Sequence, residues 1–211
     1  MFNFPNPTAG GQGVYEFRGN IDYYFPSAKF LKCHTGQSIR LGSIDVEILL
    51  THEDQVNATT GNSTMQGGNS MTTVMRFVLP DGTVFLNLGD FEEEQQTAFF
   101  NSNSSMINKS ELECDIIGVA HHGYNDVADT YKAAKATYAL WTNYSHENFP
   151  HGILASTKWR YERAEEMISA LNTGAKSAGA SSCNIYYAGK NTAKLACVNG
   201  NITVTLTNPV Y

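Results

Sequence analysis

Two short stretches carry the residue types that could do chemistry. Leu86-Asn87-Leu88-Gly89-Asp90 is an apolar run ending in Gly-Asp at the head of a helix pattern. Val119-Ala120-His121-His122-Gly123-Tyr124-Asn125 is an apolar run ending in two adjacent histidines and a glycine. A carboxylate and an imidazole suit Zn2+, Mn2+ or iron. A carboxylate has two oxygens and can span two cations about 3.5–4 Å apart. The glycine beside each donor lets backbone or substrate approach closely. Adjacent histidines on an extended chain point to opposite sides. One of His121 and His122 therefore reads as a ligand, and the other faces substrate or braces the loop.

Each stretch also has an ordinary reading. Asp90 alone is a helix N-cap, and a lone His-His pair is structural. Their joint occurrence at the ends of two buried strands favours chemistry, because open α/β sheets bind ligands at the carboxyl edge of the strands. His146 and His151, in WTNYSHENFPHG, follow another strand end and could line the same cleft or sit in a solvated loop. His52, beside Glu53 and Asp54, reads as a loop. No P-loop, G-x-S-x-G elbow or G-x-G-x-x-G occurs, which disfavours nucleotide folds and serine hydrolases.

The elements that must position these residues follow from periodicity. Residues 1–13 are rich in Pro, Gly and Asn and read as a flexible lead-in, with 14–211 as a single domain. Val14–Phe17, Tyr23–Phe25, Lys29–Cys33 and Ile44–Thr51 read as strands. The aromatics Tyr15, Phe17, Tyr23, Tyr24 and Phe25 read as core packing of a strand pair. Residues 54–70 are polar and glycine-rich and read as a long loop. TTVMRFVLP and TVFLNLGD flank Asp81-Gly82, a hairpin signal. Helices are expected over 91–100, 126–136 and 157–171, the last with Thr157 as N-cap and Gly174 as C-terminal cap. Buried strands are expected over 115–120 and 138–142. Ile185–Ala188, Ala193–Val198 and Ile202–Leu206 read as strands, the last two joined at Asn199-Gly200. The predicted fold is α/β, a mixed β-sheet with helices on one face.

Composition sets the outer bounds. The chain has 211 residues, 42% hydrophobic and 16% charged, with a net charge of −6. That is too apolar for a disordered chain. The 14 basic residues against 20 acidic ones, without a basic stripe, argue against nonspecific nucleic-acid binding. No apolar run is long enough for a membrane helix, and no signal peptide is visible. Cys33, Cys114, Cys183 and Cys197 show no C-x-x-C spacing and read as free thiols, with a Cys183–Cys197 bridge left open. Six Asn-x-Ser/Thr sequons reflect abundant Asn, Ser and Thr, and the compartment is left open.

The stretch from Asn69 to Asn143 resembles the metallo-β-lactamase-fold hydrolases. It is most similar to the branch of ComEC-type competence proteins and related phosphodiesterases. The resemblance rests on Asn69-Ser70 leading into TTVMRFVL, then FLNLGD, DIIGVAHHGYND and YALWTN. It implies the second half of a four-layer αββα sandwich. It implies two divalent metal ions, Zn or Mn, with Asp90 bridging them and His122 ligating one. His121 would be the catalytic residue at the scissile group, although the two histidines could exchange roles. Asn69, Ser70 and His151 would shape the substrate cleft.

One departure is large. The family's primary metal loop, His-x-His-x-Asp-His, has no counterpart among the six histidines of this chain. The expectation is a portion of a hydrolase, inactive alone, whose missing N-terminal half or a second copy covers one sheet face. A metal-free binding or interaction module is the alternative.

Overall fold

The computed structural model describes residues 19–27, 29, 33–51, 54, 72–101, 107–123, 126–142, 163–187 and 192–207. Within them a seven-stranded mixed sheet runs in chain order: β1 (Ser38–Leu41), β2 (Ile44–Leu50), β3 (Val74–Val78), β4 (Val84–Asn87), β5 (Ile116–Gly118), β6 (Tyr138–Trp141) and β7 (Asn184–Tyr187). β1 to β4 form an antiparallel meander, and β4 to β7 are parallel. Short loops suffice for the first part, while each parallel pair needs a crossover. The crossovers contain α2 (Glu93–Gln96), α3 (Ala128–Ala134) and α4 (Ala164–Ser177). Residues 19–24 are helical and form α1.

The period of two in the strands decides which face meets the helices. Leu86, Ile117, Ala139 and Trp141 join Phe91, Tyr131, Met167 and Leu171 in one buried core. Three crossovers stepping the same way place their helices on one face, given right-handed connections. The alternate residues face the other way. Phe77 and Phe85 stack there at 5.7 Å. A separate hairpin, β8 (Thr192–Val198) with β9 (Asn201–Thr207), sits on this side. Tyr138 Oη donates to Ile202 O at 3.3 Å, and Gly200 N donates to Asp81 Oδ2 at 3.1 Å.

Several expectations need correction. Tyr23 and Tyr24 lie in α1 and Phe25 just beyond it, not in a strand, and they are 78%, 68% and 64% exposed rather than packed in a core. The helix expected over 91–100 is α-helical only through Gln96, then widens into a π turn at Thr97–Asn101. α3 is shorter than expected at both ends. α4 runs past Gly174, which is buried mid-helix rather than a cap. A Cβ there would lie 2.6 Å from Tyr131 O, so this glycine lets α4 press against α3. The helix ends at Ser177 and is closed off by Gly179, at φ +92°, with Gly179 N donating to Lys176 O and Ala180 N to Ala175 O, a Schellman motif. β1 was missed, because its exposed residues lack an apolar alternation. All four cysteines are unbridged. No described helix is long and apolar enough to cross a membrane. Val14–Phe17, the 54–70 loop beyond Asp54, and Thr157 lie outside the described residues.

Candidate metal-donor site at the ends of two strands

β4 and β5 are adjacent and parallel, so their C-terminal ends lie side by side. The Gly-Asp turn follows β4. Asn87 Oδ1 accepts the Gly89 N–H at 3.2 Å, and Thr72 Oγ1 accepts the Asp90 N–H at 3.3 Å. Gly89 has φ +58°, and a Cβ there would meet Thr72 Cγ2 at 2.6 Å, so only glycine fits. Leu88 and Phe91 are fully buried on either side and anchor the turn. Asp90 is left with its side chain 47% exposed. It is not the N-cap of α2, a position held by Glu92. The ordinary reading of Asp90 as a cap therefore fails.

The His-His-Gly turn follows β5. His121 and His122 have φ of 40° and 58°, and Gly123 has φ of 85°. The pair is therefore a left-handed turn, not the extended chain assumed from sequence. Non-glycine residues in this region cost about 1–2 kcal/mol each and persist only where their surroundings hold them. Three elements do so. Ala120 N donates to Tyr131 Oη of α3 at 3.1 Å. His121 N donates to Gly89 O of the neighbouring turn at 2.9 Å. Trp141 Nε1 of β6 donates to His122 O at 2.8 Å. Gly123 lies flat on the same indole, where a Cβ would approach Trp141 Cζ2 to 2.3 Å.

The result is that the two imidazoles diverge, with ring centres 6.2 Å apart. His122 Nε2 lies 3.9 Å from Asp90 Oδ1. Its Nδ1 is 3.2 Å from Thr142 O and 3.1 Å from Thr142 Oγ1, which leaves Nε2 as the ring nitrogen facing Asp90. His121 turns inward. Its side chain is 11% exposed, and Nδ1 lies 3.3 Å from Glu92 Oε1.

Metal bonds of about 2.0–2.2 Å from each side make 3.9 Å a span that one cation can bridge. The carbonyl behind His122 is the kind of outer partner that orients a ligating histidine. Two donors are fewer than the three protein ligands of a catalytic zinc. Among the described residues no group of three His, Cys, Asp or Glu side chains is placed to hold an ion. The residues fit as part of a site.

Asn69, Ser70 and His151, like His52 and His146, lie outside the described residues. Sequence reasoning missed Thr72, Glu92, Tyr131 and Thr142 as supports. Thr72 and Thr142 sit 18 and 20 residues from the groups they hold, with no local signal. No protein-family model, curated protein or solved structure matches the chain.

Proposed function

We propose that the chain is the C-terminal portion of a dinuclear-metal hydrolase of the metallo-β-lactamase superfamily, acting on a phosphodiester or related ester. The observation that carries this reading is the convergence of Asp90 and His122, 3.9 Å apart, on neighbouring parallel strand ends. Asp90 and His122 would hold the ions, Zn2+ or Mn2+, together with donors from a complementary first half of the fold. Bound divalent ions supply a hydroxide near neutral pH. Asp90 presents two oxygens from a turn fixed by Thr72 and Asn87. His122 presents Nε2 from a ring fixed by Thr142. His121, with Nδ1 3.3 Å from Glu92 Oε1, would stabilise charge on the leaving oxygen from its other nitrogen. Asn69, Ser70 and His151 would shape the cleft around the substrate. The complementary half, or a second copy of the chain, is the partner this reading requires.

The metal-free interaction module draws on the same contacts, since each imidazole already faces a carboxylate. Calorimetric titration with Zn2+ and Mn2+ separates the two readings. The hydrolase reading expects weak, saturable binding that Asp90→Ala abolishes. No heat, or equal heat from Asp90→Ala, favours the module.

A further inference from the structure

The buried side chain that links the segments following the two turns belongs to neither turn. Gln96, the last α-helical residue of α2, is fully buried. Its Nε2 donates to Phe91 O at 2.6 Å and to Asp126 Oδ1 at 2.7 Å. Its Oε1 accepts the Val127 N–H at 3.4 Å. Both amide hydrogens and the amide oxygen are thus engaged. Phe91 follows Asp90 in the chain, while Asp126 and Val127 lie just beyond the His-His-Gly turn. One amide therefore grips the backbone leaving the Gly-Asp turn and the backbone leaving the histidine turn.

The two turns are bridged twice. Near the donors, His121 N bonds directly to Gly89 O at 2.9 Å. Gln96 links the chain just beyond each turn a second time, through Phe91 on one side and Asp126 and Val127 on the other. Two fixed links leave little freedom for the turns to slide or rotate against each other. Stability alone does not call for a glutamine here. A buried amide offsets its own desolvation only when every partner is in place, and an apolar side chain of equal size makes no such demand. What the glutamine adds is directional: a fixed distance between two segments of backbone.

We propose that Gln96 is a positioning residue that sets the separation between the Asp90 carboxylate and the His122 imidazole. The use of that separation for metal binding rests on the hydrolase reading, whereas the separation itself belongs to the metal-free chain.

The test follows the ring signals of His121 and His122 in long-range proton–nitrogen spectra of the whole chain without metal. Zn2+ affinity is then measured by calorimetry. Gln96→Met keeps the volume and removes all three hydrogen bonds. Asp126→Asn keeps an oxygen acceptor for Gln96 and serves as the conservative variant. Gln96→Met should move both sets of ring signals at unchanged helix and strand content by circular dichroism. It should also weaken Zn2+ binding by roughly tenfold, as loss of a ligand's outer partner does. Asp126→Asn should stay close to the parent in both. Unmoved ring signals in Gln96→Met, or equal movement in Asp126→Asn, overturn the proposal. If the parent chain takes up no Zn2+, the hydrolase reading fails while the ring signals still decide the role of Gln96. Should Gln96→Met not fold, Gln96→Asn replaces it with the same expected and overturning results, because its shorter amide cannot span the two segments that hold the three partners.

Discussion

Burial pushes the Asp126 carboxyl up to about 8, against smaller opposing effects from Gln96, Tyr131 and Arg163, and Glu93 adds to the rise. The group is 1% exposed and sits under the histidine turn, with the Tyr131 hydroxyl facing it. The consequence for stability has a definite sign. An unfolded aspartate ionises near pH 3.9. Between that pH and about 8 the folded chain keeps a proton that the unfolded chain has lost. Stability contributed by this group is therefore full below pH 4 and falls by about 1.4 kcal/mol per pH unit until it levels off near the folded value. Urea unfolding from pH 5 to 8 should show that decline, and Asp126→Asn should flatten it. Equal slopes for both proteins would contradict the assignment of a buried neutral acid. Gly123→Ala makes a second residue-scale prediction. It places a Cβ against the Trp141 indole at a φ of +85° and should cost about 2–4 kcal/mol in the same assay. At this scale the sequence marked the two turns that bring Asp90 and His122 within 3.9 Å and was silent on what supports them. Gly-Asp and His-His-Gly are local patterns, whereas Thr72 and Thr142 act across chain separations that no local pattern reports.

Among the elements, α3 and α4 show how a wrong boundary carries information. Gly174 looked like a terminator because glycine commonly follows a helix. It lies instead where α4 crosses α3, a Cβ width from Tyr131 O. Two effects compete in Gly174→Ala. Helix propensity favours alanine by about 1 kcal/mol, and overpacking costs about 1–3 kcal/mol. The obstructing atom is a main-chain oxygen that cannot rotate away, so overpacking should win, by up to about 2 kcal/mol. A gain in the melting midpoint would contradict this. Because Tyr131 also holds Ala120 N, the variant should disturb the histidine turn as well. Tyr131→Phe removes that link together with the hydroxyl's contact to Asp126 and should cost about 1–3 kcal/mol, since it leaves the buried Ala120 N–H unmet. The parallel strands and the β8–β9 hairpin were legible from apolar runs and turn residues. β1 and α1 were not, because an exposed edge strand and an exposed helix bear no buried face for periodicity to mark.

Among the described residues, a mixed sheet is covered by helices on one face and by a two-stranded hairpin on part of the other. Leu41, Val198 and Leu206 remain at least half exposed. β1 forms one edge of the sheet, and the Arg40–Asp45 ion pair guards it with charge. The hydrolase reading asks a second body to complete the donor set. Sedimentation across a concentration series should therefore show reversible self-association, and a strict monomer would leave the complementary half as the required partner.

The most direct test of the central claim uses Mn2+ as a paramagnetic probe of the isotope-labelled chain. Substoichiometric Mn2+ should broaden the amide signals of Asp90 and His122 first, with Gly89 and Thr142 close behind, and Asp90→Ala should remove the effect. Broadening centred on other carboxylates, or undiminished in Asp90→Ala, would contradict the account.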